Sequence, residues 1–202
     1  MSMQAQHIFL TEEDYLASEL LSEVKREYID GEVYAMAGAS INHVRIVTSL
    51  VAKLATHLLN TPCEPFFSDM KVKVGKNFFY PDVIVDCRNE NGDAYYTQSP
   101  ILIVEVLSKS TRRTDKAIKR LAYQALPSLQ EYILIEQDAA EVEICRRNNH
   151  WQPEYYFLGD TAYFASIELS ISVEEIYARV ENQDMADYLK LKQQKAASQN
   201  QA

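Results

Sequence analysis

The most nearly continuous apolar run in the chain predicts a central β-strand that is covered on both faces. Residues 101–107 are Ile-Leu-Ile-Val-Glu-Val-Leu, so Glu105 is the only polar side chain in this run. A second apolar run at residues 81–85, Pro-Asp-Val-Ile-Val, contains Asp82 and also predicts a buried strand. A carboxylate within an apolar strand is costly unless a cation or hydrogen-bond donors compensate its charge. The two acids are therefore candidates for a functional site.

The pattern before these two runs predicts a helix, a hairpin and a second helix. Thr11 can cap the first helix, with Asp14 closing a capping box. Residues 27–36 contain an Asp-Gly pair between two short apolar segments, which is typical of a β-hairpin. Ser40 can cap the second helix, whose apolar residues keep helical spacing: Val44, Val47, Leu50, Val51, Leu54 and Leu58.

The remainder of the chain predicts more strands than helices. In chain order, the predictions are strands at 66–74 and 77–80, a loop at 88–99, a helix at 112–125, strands at 131–135, 142–146 and 151–157, and a short helix at 173–180. We therefore predict an α/β (α+β) fold with a mixed central β-sheet flanked by helices, preceded by an N-terminal helix and hairpin. Residues 1–189 are predicted to form a single domain, and residues 190–202 a flexible tail.

Composition and charge restrict the classes of function. The length of 202 residues suits one globular domain, and the net charge of −9 repels nucleic acid, so binding to it would require a local basic patch. Cys63, Cys87 and Cys145 form no CxxC pair and are predicted to be buried free thiols in a reducing compartment. The sequence shows no signal-peptide pattern and no apolar run of the ~20 residues that a membrane span requires. We expect a cytoplasmic protein without membrane contact.

The predicted helix after Glu105, here called the basic helix, concentrates positive charge. Its cations, with those just before it, are Lys109, Arg112, Arg113, Lys116, Lys119 and Arg120, and Asp115 is the one acid among them. Arg112, Lys116 and Arg120 recur every four residues and share one face. Asp115, Lys119 and Tyr123 have the same spacing and share a neighbouring face.

Two strand carboxylates beside a basic helix suggest a metal site that handles phosphate. Mg²⁺ or Mn²⁺ prefers oxygen ligands, and a bound divalent ion polarises a phosphate and lowers the pKa of its water. An ammonium nearby stabilises charge that develops on the phosphate. Other interpretations remain open for each residue alone. Asp82 could simply begin a strand, Glu105 could form a structural ion pair, and the basic residues could form a solvated face.

Several motifs, taken together and in order, resemble the Uma-two family of restriction-endonuclease-like proteins within the PD-(D/E)xK nuclease superfamily. These motifs are the segment 27–34, the segment 36–40 with His43, Tyr80-Pro81-Asp82-Val83, residues 103–108, Ser110-Thr111, Asp115, Lys119, Tyr123 and Glu131-Tyr132. The resemblance implies a restriction-endonuclease-like core with Asp82 and Glu105 as metal ligands. It also implies a homodimer.

The chain departs from the superfamily pattern at one position. That pattern places a lysine two residues after the glutamate, where this chain has Leu107. The resemblance implies that the lysine comes from the following helix, as Lys119. It also gives Glu27 as an extra ligand or water-orienting acid, and His43, Asp115 and Tyr123 as supporting residues.

Two classes of function are compatible with these observations. The first is a Mg²⁺- or Mn²⁺-dependent endonuclease acting on DNA, with Lys109, Arg112, Arg113 and Lys116 contacting the phosphate backbone. The second is a catalytically inactive nuclease-fold module that acts in protein or nucleic-acid interaction, which the net charge of −9 and Leu107 favour. A small-molecule hydrolase using two acids explains the basic helix less well.

Overall fold

The computed structural model of the protein describes residues 10–87 and 93–199. The helical elements are α1 (Glu12–Glu19), α2 (Ile41–Leu58), a π-helix (Thr114–Lys119) that continues into α3 (Arg120–Gln124), α4 (Val173–Ile176) and α5 (Gln183–Gln199). The strands are β1 (Arg26–Ile29), β2 (Glu32–Ala35), β3 (Glu64–Phe67), β4 (Lys71–Val74), β5 (Asn77–Phe79), β6 (Val83–Asp86), β7 (Tyr96–Thr97), β8 (Pro100–Leu107), β9 (Glu131–Glu136), β10 (Glu141–Arg146), β11 (Pro153–Phe157), β12 (Thr161–Phe164) and β13 (Leu169–Ser172).

The six-stranded sheet carries the predicted central strand. Its order is β11-β10-β9-β8-β6-β3, which places β8 in the interior of the sheet. β8 runs parallel to β9 and antiparallel to β6, so the sheet is mixed. The α/β (α+β) prediction, with a mixed sheet flanked by helices, is confirmed. β8 is buried along nearly its whole length, as its apolar sequence predicts.

The two faces of β8 pack against different layers. On one face, Val104 and Val106 join a core that includes Leu50 and Leu54 of α2. On the other face, Ile103 belongs to a second core, which it shares with Leu107 of β8, Tyr123 of the basic helix, and Val72 and Phe79 of the smaller sheet. Since side chains alternate along a strand, Glu105 points to this second face.

The smaller sheet has the order β2-β1-β5-β4-β7. One of its faces is covered by α1, where Tyr15, Tyr28 and Phe78 form a compact aromatic cluster. Its other face presents Phe79 to the core beneath the basic helix. Alternation along β1 places Glu27 on this inner face, opposite to that of Tyr28. The basic helix is therefore packed between the two sheets.

Local signals in the N-terminal part of the chain are confirmed except for one detail. The Thr11 side chain accepts the backbone N–H of Asp14 at the start of α1. The Asp14 carboxylate accepts from the Thr11 hydroxyl instead of the Thr11 backbone N–H, so the predicted capping box is not formed. The β1–β2 hairpin turns at Asp30 and Gly31, both with positive φ (51° and 90°), as a two-residue turn of this type requires. Ser40 caps α2 by accepting the N–H of His43.

Two strand predictions need correction. The predicted strand at 66–74 is two strands, β3 and β4, because Ser68 adopts a positive φ of 44° and turns the chain between them. The predicted loop at 88–99 contains the short strand β7, which pairs in parallel with β4. Residues 88–92 of that loop lie outside the described residues.

The prediction of three free thiols is wrong for two of them. Cys63 and Cys87 form a disulfide. The pairing of β3 with β6 brings the two cysteines together. Glu64 lies opposite Asp86 at the end of this antiparallel pair, Cys63 directly precedes Glu64, and Cys87 directly follows Asp86. Cys145 is free and buried, as expected.

The C-terminal region also differs from expectation. Residues 190–199, predicted as part of a flexible tail, continue α5 as helix, although residues 189–198 are all exposed. Residues 200–202 lie outside the described residues, and the domain boundary at 189 stays a prediction. Among the helices that the structure describes, none combines the length and apolarity needed to cross a membrane.

Candidate active site

Asp82 and Glu105 lie side by side, Glu105 on β8 and Asp82 directly before the neighbouring strand β6. Val83 of β6 pairs with Val104 of β8 in an antiparallel register, so the next position outward places Asp82 opposite Glu105. The backbone N–H of Val106 donates to Asp82 Oδ2 at 2.7 Å, which fixes this carboxylate against β8. Asp82 directly precedes β6 instead of lying within it, a small correction to the predicted strand at 81–85.

Lys119 of the basic helix lies among three carboxylates. Its Nζ is 2.8 Å from Glu27 Oε1, 3.1 Å from Glu105 Oε1 and 3.4 Å from Asp115 Oδ1. Only 5% of Lys119 is exposed. The expected convergence of a helix lysine with the strand acids is therefore present in the structure.

Two further groups hold these carboxylates in place. The Tyr123 hydroxyl donates to Glu105 Oε1 at 3.1 Å, the same oxygen that Lys119 contacts. The backbone N–H of Tyr80 donates to Glu27 Oε1 at 2.9 Å. Glu27 thereby connects β1 both to the segment that leads into Asp82 and to the basic helix.

A π-helical turn lets the side chains of Asp115, Lys119 and Tyr123 lie on the same side of the basic helix. An α-helix has about 3.6 residues per turn, so a side chain four residues further along has rotated by slightly more than one full turn around the axis. In the wider i→i+5 turn of the π-helix, a side chain four residues further along has rotated by slightly less than one full turn. Asp115 and Lys119 lie in the π-helix, and Tyr123 lies in α3. The two small rotations have opposite signs and offset each other, so all three side chains point to the same side of the helix.

Burial increases the free energy required to ionise the carboxyl groups of this cluster. Desolvation raises the pKa of Glu105 well above its ordinary value, opposed by Lys119 and reinforced by Asp115, Asp82 and Glu27. Desolvation also raises the pKa of Asp115. Burial alone would lower the pKa of Lys119, but the surrounding carboxylates raise it above its ordinary value. Burial and the neighbouring carboxylates therefore disfavour ionisation of Glu105 and Asp115, and Lys119 partly offsets this effect.

His43 reaches the site from the first turn of α2. Its Nε2 lies 2.9 Å from Asp82 Oδ1, so the Asp82 carboxylate is held by the imidazole on one oxygen and by Val106 on the other. The side chains of His43 and Asp82 are each 15% exposed, against 4% for Glu105 and 6% for Lys119. Asp82 and His43 are thus the more accessible side of the cluster.

The cations on the other face of the basic helix pair with carboxylates of the large sheet. Arg112 pairs with Glu136, and Arg120 pairs with Glu143. Lys116 Nζ lies 3.2 Å from Glu143 and 3.6 Å from Glu136. The two glutamates are buried on β9 and β10. Sequence reasoning missed both, although an acid within an apolar strand, the signal that identified Glu105, is also present in these strands.

Lys109 and Arg113 have a different environment from Arg112 and Lys116. Both are exposed near the start of the basic helix. Neither has an ion-pair partner among the residues that the structure describes. Of the four expected phosphate contacts, these two are the more accessible. Leu107 is fully buried, so the position where the superfamily has lysine belongs to the core in this chain.

The residues present suit a hard divalent cation. Glu105, Asp82 and Glu27 offer carboxylate oxygens, which are the ligands that Mg²⁺ and Mn²⁺ prefer, and the buried Asp115 Oδ1 accepts no hydrogen bond. Within residues 10–87 and 93–199, no group of three or more His, Cys, Asp or Glu side chains is arranged as a complete metal site. Two protein carboxylates with waters and phosphate oxygens are the usual set for Mg²⁺.

A mixed sheet with acids on adjacent strands, facing a buried helix lysine, defines a restriction-endonuclease-like protein. More specifically, the chain belongs to the Uma2 family, described as "Putative restriction endonuclease", which matches residues 12–174. Two Synechocystis sp. proteins are similar. "Uncharacterized protein slr1290" is 36% identical over 174 residues, covering 83% of this chain and 91% of that protein. "Uncharacterized protein sll1609" is 38% identical over 149 residues, covering 71% and 80%.

A solved structure shares the fold. It is the crystal structure of "a putative nuclease belonging to DUF820" from Anabaena variabilis, with a TM-score of 0.71 and 21% sequence identity. The similarity covers 85% of this chain and 99% of that chain. At this level of identity the match establishes the architecture.

Proposed function

We propose that the protein is a metal-dependent endonuclease that hydrolyses phosphodiester bonds in DNA. The observation that carries the proposal is the adjacency of Asp82 and Glu105 on neighbouring strands with Lys119 bound to Glu105 at 3.1 Å. Membership of a family described as "Putative restriction endonuclease" supports the same reaction class. A buried acid pair with an ammonium is more than the fold alone requires, because burying these charges has a large desolvation cost.

In this proposal Asp82 and Glu105 hold Mg²⁺ or Mn²⁺. When bound, such an ion polarises the phosphate and lowers the pKa of a water. The chain's own residues prepare the site. Val106 N–H and His43 orient the Asp82 carboxylate, and the Tyr123 hydroxyl orients Glu105. Lys119 offsets the negative charge at the centre of the cluster.

Glu27 and Asp115 are proposed as supporting acids. Glu27 is held by Tyr80 N–H and by Lys119, so its carboxylate has a defined orientation from which it can bind a water or an additional ligand. Asp115 shares Lys119 with Glu27 and Glu105. Lys109, Arg112, Arg113 and Lys116 are proposed to contact the DNA backbone, and a homodimer would place two such sites on one duplex.

Plasmid cleavage tests the proposal directly. Purified protein with Mn²⁺ or Mg²⁺ is expected to convert supercoiled DNA into nicked and linear forms, and EDTA is expected to stop the reaction. Single-stranded DNA and RNA of matched sequence, tested in parallel, define the substrate. Retention of full cleavage in EDTA would contradict a metal-dependent mechanism.

A second candidate is a catalytically inactive nuclease-fold module that acts by interaction. It is favoured by the ion pairs of Arg112 and Lys116 with buried Glu136 and Glu143, which reduce the positive surface offered to DNA. Calorimetric titration with Mn²⁺ separates the two candidates. Binding that disappears in Glu105→Gln supports the enzyme, whereas no binding at millimolar Mn²⁺ supports the module.

A further inference from the structure

The environment of Lys119 differs from that of a residue that meets a substrate. Its Nζ lies 2.8, 3.1 and 3.4 Å from carboxylate oxygens of Glu27, Glu105 and Asp115, so three acids are within ion-pair distance of it. The Lys119 side chain is 6% exposed, whereas that of Asp82, on the accessible side of the cluster, is 15% exposed. A phosphate that contacted Lys119 would have to compete with these three carboxylates at a buried position.

The hydrogen bonds to Glu105 divide its two oxygens between different roles. Lys119 Nζ and Tyr123 OH both donate to Oε1, each at 3.1 Å. The other oxygen, Oε2, receives neither of these bonds. Glu105 can therefore keep its contact with Lys119 through Oε1 and offer Oε2 to a further ligand. Lys119 need not leave for a cation to bind.

The charge of the cluster limits how many divalent ions it can hold. When ionised, the four carboxylates of Asp82, Glu105, Glu27 and Asp115 carry more negative charge than the Lys119 ammonium balances. One divalent ion removes most of the excess. A second ion would make the cluster positive and would compete with Lys119 for Glu27 and Asp115.

We propose that Lys119 is a positioning residue, a permanent counter-ion of Glu27, Asp115 and Glu105 Oε1, so that one divalent ion binds per chain at Asp82 and Glu105 and Lys119 does not contact the phosphate. This inference rests on the proposed metal-dependent function. It differs from the expectation that the lysine stabilises charge on the phosphate directly, because here Lys119 acts through the carboxylates that it holds.

Calorimetric stoichiometry with Mn²⁺ is the first test. The wild-type protein is expected to bind one ion per chain, and two ions per chain would overturn the inference while leaving a metal-dependent nuclease intact. If the wild-type protein binds no Mn²⁺ and yields no cleavage, the proposed function itself fails, and the inference fails with it. The Asp82→Ala variant is the control for binding at this site.

Acylation of lysines, read by mass spectrometry, tests whether Lys119 stays in place. Lys109 and Lys76 are exposed and serve as internal controls that are modified under all conditions. Lys119 is expected to remain unmodified with and without saturating Mn²⁺. Modification of Lys119 that appears only with Mn²⁺ would mean that the ion displaces the ammonium, and the inference would be wrong.

Substitution separates a counter-ion from a phosphate contact. Lys119→Met removes a positive charge beside the ligands and is expected to tighten Mn²⁺ binding by about tenfold or more. Weaker Mn²⁺ binding by this variant would overturn the inference. If Lys119→Met does not fold, the two wild-type measurements still decide the question.

Discussion

Glu27 Oε1 and Lys119 Nζ lie 2.8 Å apart although they belong to different layers of the fold. Glu27 is on β1 of the smaller sheet, and Lys119 is on the helix that packs between the sheets. The same Glu27 oxygen accepts the N–H of Tyr80, which lies two residues before Asp82. The site therefore forms only when both sheets and the basic helix have assembled.

Asp82→Ala is expected to abolish metal-dependent DNA cleavage, with a loss of about a hundredfold or more. The substitution removes one of the two proposed ligands and leaves β6 and β8 otherwise unchanged. Cleavage rates in Mn²⁺ give the result, and circular dichroism checks that the fold is kept. Asp138→Ala, which removes an exposed acid from the β9–β10 turn, is the matched control. An unchanged rate in Asp82→Ala would refute the assignment.

Glu105→Gln is expected to change how stability depends on pH. The pKa of Glu105 is raised in the folded protein, so its stabilising contribution is complete below the ordinary value of 4.5 and is lost as pH rises toward the folded-state pKa. Glutamine does not titrate, so the variant should gain stability relative to wild type as pH increases above 4.5. Urea unfolding in EDTA at a series of pH values measures the difference. A difference that is constant with pH would contradict the raised pKa.

Arg120→Ala is expected to destabilise the protein by about 3 kcal/mol, the lower end of the range for breaking a buried ion pair, because Lys116 is then the one cation left beside Glu143 among the described residues. Equilibrium unfolding in urea measures this loss. Arg113→Ala, from an exposed position on the same helix, is the control and should change stability little. Equal effects of the two variants would show that the contact of Arg120 with Glu143 contributes little.

Lys109→Ala combined with Arg113→Ala is expected to weaken DNA binding and to reduce its salt dependence. Each lost phosphate contact lowers the slope of log K against log salt by about 0.9. The double variant should therefore show a slope smaller by about 2 if both cations reach the backbone. Fluorescence anisotropy at several salt concentrations measures the slope, with Lys76→Ala, at another exposed position, as a control. A slope equal to that of wild type would exclude these contacts.

Cys63→Ser is expected to lower the free energy of unfolding by about 2–4 kcal/mol under oxidising conditions. The disulfide links residues 24 positions apart and so restricts the unfolded chain. In a reducing buffer the wild-type protein and the variant should have nearly the same stability. A difference that persists after reduction would mean that the serine acts by disturbing the packing of β3 against β6.

Much of the central architecture could be predicted from local pattern. The apolar run around Glu105 specified a buried strand, and a strand acid of this kind requires compensation wherever it lies. Ser40 and Thr11 specified their helix starts because a cap depends only on residues within one turn. The position of Lys119 relative to Glu105 came from the family resemblance, since no local spacing relates a strand to the helix that follows it.

Features that depend on pairing between distant segments could not be predicted. The disulfide requires the register of β3 on β6, which the separated cysteines do not reveal. The partners of Arg112 and Arg120 lie on β9 and β10, so helix spacing identified their shared face but not the buried carboxylates that it meets. Ser68 interrupts an alternating pattern without a glycine or proline to mark the turn.

The π-helical turn at Thr114–Lys119 holds one residue more than an α-helical turn would. Deleting one residue there would return the segment to α-helical winding and leave the side chains after it facing nearly the same way. A deletion within α3 would instead rotate the side chains that follow by about 100°. An alignment of relatives that opens a one-residue gap inside this turn therefore still equates residues on the same face of the helix.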